Sequence, residues 1–334
     1  MYTDDVLTLL KETEVVSGEE AEDALGIPRH DVWRHIELLR EDGFVVEYMD
    51  GEYRLSEVPE YGEYAVRHHL DDGSSDRVID FRTEVSSTND VAVEAARHGA
   101  PEGTVVVARR QSSGRGRLDR TWVSPEGGVY MSMVLRPELS PGKDDTVLML
   151  ASAVAAARAL NALGVEPTVK WPNDIHVGGR KITGILTETG VSDTGVSQSR
   201  VSEGGSNSSK TYAVLGFGVN YHGIPEIDNP RKSPTSVADQ LKGDELDRAE
   251  FVTVLLRELD DVVCMEKEEI FEEWRSWSDT LGKRVRVFYD QEVHEGEAVG
   301  LDETGELQVD TEDGLEEIAS GDCYHLRSAS RNGE

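Results

Sequence analysis

The chain has 334 residues, of which 66 are acidic and 34 basic, so its formal net charge at pH 7 is -32. No run of about 18 apolar residues occurs, which excludes a membrane-spanning helix, and the N-terminal MYTDDVLTLLKETEVV lacks the basic region of a signal peptide. Two distant cysteines, Cys264 and Cys323, form no metal-spaced pair, which favours a reduced, cytoplasmic protein. The acidic surplus favours a surface adapted to high salt; ordinary solubility and steering of a cationic partner are the alternatives.

Residues 1–60 predict a winged helix-turn-helix. DDVLTLLKETE is amphipathic, and Ser17 followed by Glu20 forms a capping box before a second helix. RHDVWRHIELLR has apolar residues at helical spacing, and FVVEYMDGEYRL alternates about an Asp-Gly turn as a hairpin does. A small helical domain without a role on DNA is the alternative.

Residues 61–77 are expected to be a linker that includes a short helix, and residues 78–275 alternate between strand and helix patterns. The strand candidates include VIDFRTEV, GTVVVARRQ, GGVYMSMVLRP and TYAVLGFGVNY. DDTVLMLASAVAAARALNALG predicts a long helix buried on one broad face. This pattern indicates a mixed sheet with helices.

Two further segments differ from this domain. Residues 190–211 hold seven serines and four glycines, which predicts a mobile insertion joining two hairpin strands. Residues 280–328 read as short strands divided by glycine turns, which is typical of an SH3-like β-barrel.

The stretch GRGRLDRTWVSPEGGVYMS at 114–132 suits anion binding. Glycines let backbone N–H groups approach an anion, and arginines add forked donors for phosphate or carboxylate. Three clustered guanidinium groups repel one another, so we expect the loop to become ordered when an anion binds. A surface loop with solvated arginines is the alternative.

Two later stretches point to the same kind of site. KWPND at 170–174 places Lys170 near Lys181 if the flanking strands form a hairpin, and lysine suits a phosphate or carboxylate oxygen. GFGVNY at 216–221 has small residues that leave room for a ligand, or mark a bulge. Surface lysines and a core tryptophan are the alternatives for the first stretch.

Taken in order, these motifs resemble the biotin protein ligases. GRGRxxRxWxSPxGGxYxS, KWPND with RKxxGIL, GxGxN, and STND at 87–90 all fit that family. With the N-terminal segment, the chain resembles the bifunctional ligase–repressors. The resemblance implies an α+β multidomain fold with a winged helix-turn-helix, a central mixed-sheet α/β domain of class II synthetase-like type, and an SH3-like C-terminal barrel.

The resemblance also implies a reaction. Biotin and Mg-ATP give biotinyl-5′-AMP, and the acyl group passes to a lysine of a biotin carboxyl carrier domain. ATP, Mg²⁺ and biotin are therefore expected as cofactors or substrates, with operator DNA and a second copy of the chain as further partners and no membrane. Two alternatives are a biotin-sensing regulator without ligation and a lipoate or octanoyl transferase relative.

The site residues follow from the resemblance, position by position. The catalytic residues implied are Lys181, Arg117 and Arg115. The biotin-binding residues implied are Ser87, Thr88, Asn89, Gln111, Gly114, Arg115, Gly116, Gly184, Gly216 and Gly218. The ATP- or adenylate-binding residues implied are Arg117, Arg120, Trp122, Asn173, Lys181 and Asn220. No metal-ligand motif is present, so Mg²⁺ is expected to arrive with ATP. Asp119 stands where the family commonly has glycine.

The DNA-binding residues implied are Arg29, His30, Arg34 and His35. Residues 1–57 nevertheless hold sixteen acidic and five basic side chains. This excess of negative charge repels the phosphates of DNA at low salt, and high salt screens that repulsion.

Overall fold

The computed structural model describes residues 2–70, 77–118, 120–136, 145–192, 211–225, 234–241 and 247–326. The chain divides into two compact units: Met1–Asp76 with Asp247–Thr253, and Arg77–Leu246 with Val254–Glu334. Asp119 and residues 193–210 of the predicted insertion lie outside the described residues. Within those described ranges, no helix is long and apolar enough to cross a lipid bilayer.

The first unit begins with the three helices and the hairpin in the order that the sequence predicts, and a two-residue strand, which the sequence does not predict, follows the first helix. These elements are α1 (Tyr2–Glu12), β1 (Val16–Ser17), α2 (Gly18–Leu25), α3 (Arg29–Glu41), β2 (Val45–Met49) and β3 (Glu52–Glu57). The antiparallel strands have the order β1-β3-β2. The predicted capping box is present, because Ser17 Oγ accepts from the N–H of Glu20 over 3.2 Å and Glu20 Oε2 accepts from the N–H of Ser17 over 2.8 Å. Val32, Ile36 and Leu39 bury one face of α3 in the core.

Part of the predicted linker packs within the first unit as helix α4 (Glu63–His69). The Asp42 carboxylate accepts from the backbone N–H groups of Glu63 and Tyr64, at 3.0 and 3.2 Å. These bonds satisfy two N–H groups that have no partner inside the helix. Val66 on α4 is fully buried, so this segment belongs to the core of its unit.

The second unit is built on a mixed sheet. Its strands are β4 (Ile79–Val85), β5 (Val105–Gln111), β6 (Val129–Leu135), β7 (Thr168–Lys170), β8 (Asp174–Val177), β9 (Arg180–Val191) and β10 (Thr211–Val219). Their order is β4-β5-β6-β10-β9-β8-β7; β4 and β5 are parallel and the other neighbours antiparallel. Strands β9 and β10 pair as the predicted hairpin, but they extend to Val191 and Thr211, so the ends of the predicted insertion are strand residues.

The helices that follow the first unit's α4 are α5 (Thr88–Arg97), α6 (Asp145–Ala162), α7 (Val237–Leu241), α8 (Arg248–Val262) and α9 (Lys267–Trp277). The prediction that α6 is buried on one broad face is wrong. From Val147 to Leu160 every residue except Arg158 is buried. The helix packs against α9 as well as against the sheet, so it needs apolar side chains all round.

A second sheet ends the described chain. Its strands are β11 (Arg284–Tyr289), β12 (Glu292–Leu301), β13 (Leu307–Thr311), β14 (Gly314–Ile318) and β15 (Asp322–His325). The antiparallel order is β14-β13-β12-β11-β15. The short strands predicted for this region are present, and their closure into an SH3-like barrel stays a prediction.

Candidate active site

One cavity of about 440 Å³ in the second unit collects the residues that the sequence singles out. Every residue predicted to hold biotin or the nucleotide lines it, except Gly114. Gly114 supports the wall instead, since an added Cβ would lie 2.5 Å from both Ser124 Oγ and Trp122 O. Lys170, Asp174 and residues of β15 also line the cavity.

A chain of amide and hydroxyl groups forms one part of the lining. The N–H of Thr88 donates to Gln111 Oε1 over 2.8 Å, and Gln111 Nε2 donates to Ser124 Oγ over 2.8 Å. Ser132 Oγ lies 2.8 Å from Thr88 Oγ1. Ser87 precedes α5 and makes no capping bond to it, so its hydroxyl is not committed to the helix. This set offers donors and acceptors close together, as a ligand with both N–H and C=O groups requires.

Glycines on the sheet leave room for two large side chains of the wall. A Cβ on Gly216 would lie 1.8 Å from Asn89 Oδ1, and one on Gly218 would lie 2.3 Å from Trp122 Nε1. On the next strand, a Cβ on Gly184 would lie 2.9 Å from the Trp122 ring. The sequence predicts space for biotin at these positions; in this structure the space seats Asn89 and Trp122.

Trp122 carries a buried hydrogen-bond donor. Its indole Nε1 has no hydrogen-bond partner among the described residues. Lys181 Nζ lies 5.0 Å from the centre of its ring. A buried N–H left unbonded costs free energy, so this indole suits an acceptor on a bound ligand.

The cation predicted to be catalytic, Lys181, is paired with an acid. Strands β8 and β9 bring Lys181 Nζ within 2.5 Å of Asp174 Oδ1. Burial alone would raise the pKa of Asp174, but Lys181 and His176 together hold it well below its usual range. Asp174 is therefore ionised at neutral pH and fixes the ammonium group at the cavity wall.

Arg117 spans the cavity toward the C-terminal sheet. Its Nη1 donates to Asn173 Oδ1 over 3.3 Å and its Nη2 donates to Ser320 Oγ. Burial lowers the pKa of this guanidinium below its ordinary value. Asn173 in turn donates to the carbonyl of Ile185 over 2.5 Å, which fixes the amide for the arginine.

Arg115 and Arg120 meet carboxylates of the same chain. Arg115 pairs with both oxygens of Glu188, at 3.0 and 2.7 Å, and with Asp90 at 2.6 Å. Burial would lower the pKa of Arg115, but these two carboxylates raise it. Arg120 donates to Asp322 of β15.

The arginine loop is a short hairpin over its described residues. The N–H of Gly116 donates to the carbonyl of Arg120, and that of Trp122 to Gly114, each over 2.7 Å. That the loop becomes ordered when an anion binds stays a prediction. In the described structure Arg115 and Arg120 already have carboxylate partners, whereas Arg117 bonds the neutral Asn173 and Ser320.

Sequence reasoning missed several residues of this wall. Asp174 and His176 lie in and beside KWPND, so the motif itself offered a signal. Glu188 does not line the cavity but bonds Arg115 of its wall; it follows RKITGIL on the same strand β9, where an acidic residue is unremarkable by pattern. Asp322 and Tyr324 come from the second sheet, and Asp322 lies 202 positions after its partner Arg120, so no local signal marks them.

The residues predicted to bind DNA have mixed surroundings on α3. His30 and Arg34 are exposed. Arg29 pairs with Glu22 at 3.0 Å and Glu19 at 2.9 Å. His35 Nδ1 lies 2.8 Å from Thr3 Oγ1 on α1, so the ring faces its own unit. Trp33 adds an apolar side chain that is 54 % exposed on the same helix.

Known proteins are similar to this chain in sequence and in fold. Residues 82–201 match the Biotin/lipoate A/B protein ligase family, and residues 280–326 match the Biotin protein ligase C terminal domain. The bifunctional ligase/repressor BirA of Bacillus subtilis is 32 % identical over 92 % of this chain and 93 % of that protein. The chain belongs to the biotin protein ligase family. The family and enzyme class predicted from the sequence are therefore confirmed.

Two further members of the family are similar. A biotin–[acetyl-CoA-carboxylase] ligase of Mycobacterium tuberculosis is 30 % identical over 76 % of this chain and 91 % of its own length. The structure of the biotin protein ligase from Aquifex aeolicus in complex with biotin and ATP has a TM-score of 0.61 and 26 % identity, covering 75 % of this chain and 99 % of that one. The ligands predicted here, biotin and ATP, are those bound in that protein.

Proposed function

We propose that this biotin protein ligase activates biotin with ATP and transfers the biotinyl group to a lysine of a biotin carboxyl carrier domain. The observation that carries this proposal is the lining of the cavity. It joins the amide and hydroxyl chain around Thr88 and Gln111 to Lys181, Arg117 and the unbonded indole of Trp122.

The first step brings two anions together. A carboxylate oxygen of biotin bonds to the α-phosphorus of ATP, and the bond from that phosphorus to pyrophosphate breaks. Lys181 and Arg117 offset the negative charge that accumulates there. In the second step the lysine amine of the carrier bonds to the acyl carbon, AMP leaves, and the nitrogen loses a proton.

The biotin end of the proposed site uses neutral groups. The ureido ring has one carbonyl and two N–H groups, which the hydroxyls of Ser87 and Thr88 and the amide of Gln111 match in chemistry. Asn89 and Gly216 form the packed wall beside them. Gly116 and Gly184 line the same cavity as proposed contacts of biotin, and Arg115 lines it beside them.

The nucleotide end of the proposed site lies around Trp122. Its indole supplies a flat apolar face with one free donor, which suits an adenine ring. Arg120, Asn173 and Asn220 line the cavity and offer polar groups for the sugar and phosphates.

Mg²⁺ would neutralise the charge of the phosphates. In the described part of the chain, no group of three or more His, Cys, Asp or Glu side chains is arranged to hold a metal ion. The cavity does offer the carboxylate of Asp174 and the amide oxygen of Asn173. Mg²⁺ commonly binds one or two carboxylates together with substrate phosphates, and the side chains of Asp174 and Asn173 fit that mode of binding.

The test is adenylate formation by the full chain, followed as pyrophosphate release in molar KCl. Lys181→Ala is expected to lower the rate about 100-fold or more, because a cation is lost where charge develops. Lys267→Ala is the matched control, since Lys267 lies on α9 outside the cavity. An unchanged rate for Lys181→Ala would remove this lysine from the mechanism. Folded wild type that binds biotin but releases no pyrophosphate would favour the regulator without ligation.

We also propose that residues 1–60 form a winged helix-turn-helix that binds operator DNA. A connecting segment at 61–77, which includes helix α4 of the first unit, the ligase domain at 78–275 and an SH3-like domain at 280–328 follow it. Helix α3 carries exposed Arg34 and His30, and its preceding helix begins with the capping box. Two similar proteins bear the name bifunctional ligase/repressor BirA. Arg29 and His35 would have to leave their present partners to contact DNA.

The DNA test selects duplexes from a random pool with the full chain, with and without biotin and ATP. Selected sequences are expected to bind more weakly with Arg34→Ala, while Arg275→Ala on α9 leaves binding unchanged. Sedimentation of the same samples tests the proposed homodimer. Selection of no common sequence would leave residues 1–60 as a regulatory or packing domain.

A further inference from the structure

We propose that Glu188 is a positioning residue of this ligase, which fixes Arg115 at the base of the arginine loop and Asn89 in the wall of the biotin pocket. The proposal rests on the proposed function of the cavity. It gives Arg115 a task different from direct neutralisation of substrate charge.

Glu188 holds Arg115 in a fixed orientation. Its two carboxylate oxygens accept separately from Nη1 and Nη2 of Arg115, at 3.0 and 2.7 Å. A bidentate pair of this kind sets direction as well as distance. Glu188 lies on the long strand β9, so the arginine is tied to the sheet.

The same carboxylate reaches the pocket wall. Glu188 Oε2 also accepts from Asn89 Nδ2 over 2.9 Å. Asn89 is 3 % exposed, and its Oδ1 lies 2.6 Å from Ser132 Oγ. Gly216 lets Asn89 pack closely against the sheet, since a Cβ there would lie 1.8 Å from Asn89 Oδ1. One side chain therefore connects the loop to the residue next to Thr88.

Arg115 stands where the loop leaves the wall. It forms an isolated bridge with Thr121 across the hairpin, directly after packed Gly114. Asp90 bonds the same Nη2 as Glu188, at 2.6 Å. Two carboxylates against one guanidinium leave a net negative charge, which opposes the approach of a third anion. Lys181 and Arg117 remain for the substrate anions, and Arg115 acts by holding the loop.

Charge exchange tests this role against direct contact with substrate. Arg115→Glu and Glu188→Arg are each expected to raise the KM for biotin about tenfold or more, as expected when a charge-assisted pair is broken. The double exchange R115E/E188R is expected to recover part of this loss, because the two charges again form a pair. Recovery is incomplete because the glutamate placed at position 115 would face Asp90, and the arginine placed at position 188 could not accept from Asn89 Nδ2. A double exchange no better than Arg115→Glu alone would overturn the proposal.

A matched pair provides the control. Arg110 and Glu84 face each other across β5 and β4 at 2.5 Å and do not line the cavity. Exchange of this pair is expected to leave the KM for biotin unchanged. A similar effect there would mean that any such exchange disturbs the sheet.

A second measurement does not depend on ligation. Trypsin is added to folded, ligand-free protein, and the cut sites are read by mass spectrometry. Glu188→Gln is expected to be cleaved several-fold faster after Arg115 or Arg117 than wild type, whereas Glu84→Gln is not. Equal cleavage would overturn the positioning role, even if the wild type proved inactive as a ligase.

Discussion

At the scale of single residues, the shape of the cavity depends on glycines, which have no side chain. The strands that carry Gly184 and Gly218 pass beneath Trp122, and neither position has room for a methyl group while the indole stays in place. The indole N–H is buried and unbonded in the described structure. The Trp122 indole is closely packed, and its N–H is available as a hydrogen-bond donor. It is therefore better suited to contact a ligand than to stabilise the core.

Gly218→Ala should therefore impair nucleotide use. The added Cβ would lie 2.3 Å from Trp122 Nε1, so the indole must move. We expect the KM for ATP to rise about tenfold or more, since a lost aromatic contact and a lost hydrogen bond each cost roughly 1 kcal/mol. Gly223→Ala is the control, because nothing lies within 4 Å of its added Cβ. An unchanged KM would mean that Trp122 does not contact the nucleotide.

At the scale of elements, the sequence predicts individual helices and strands better than it predicts the contacts between elements that are distant in the chain. The capping box at Ser17, the β9–β10 hairpin and the strand before the arginine loop follow from local patterns and are present. Local patterns could not show that Arg117 and Arg120 bond Ser320 and Asp322, because those partners come from a distant sheet. The full burial of α6 also depends on α9, which its own periodicity cannot reveal.

Strand β15 also carries a titratable group that links pH to stability. Burial, followed by nearby Lys170 and Lys283, lowers the pKa of His325 from 6.5 to about 4. His325 Nε2 lies 3.3 Å from Thr280 Oγ1, which in turn accepts from the N–H of Trp171 in the cavity wall. The folded protein therefore keeps this imidazole neutral where the unfolded chain would protonate it.

The stability from His325 should be lost on the acid side. The pKa of His325 is lower in the folded protein than in the unfolded chain. Its contribution to the free energy of unfolding is therefore complete above about pH 6.5 and falls as the pH drops toward about 4. We expect the free energy of unfolding in urea to fall less steeply over this range for His325→Gln than for wild type. His98→Gln, an exposed control, should follow the wild type. Parallel slopes for His325→Gln and wild type would contradict the shift.

At the scale of the whole molecule, charge is distributed unevenly. Around the cavity, Lys181, Arg115 and Arg120 each have a carboxylate partner. Over the whole chain, 66 acidic residues face 34 basic ones, so a large share of the carboxylates can have no cation of their own. Their mutual repulsion destabilises the compact state at low salt and weakens when ions screen it.

Added KCl should therefore stabilise the protein. The Debye length falls from about 10 Å at 0.1 M to about 3 Å at 1 M, so repulsion between separated surface carboxylates is largely removed over that interval. We expect Tm to rise steeply below about 1 M and then to level off, which calorimetry can follow. Sucrose provides the comparison, because it stabilises by exclusion from the surface and should give a steady rise without that early plateau. A Tm that does not change with KCl would show that repulsion between carboxylates does not destabilise the fold. Solubility alone would then be the favoured reason for the acidic surplus.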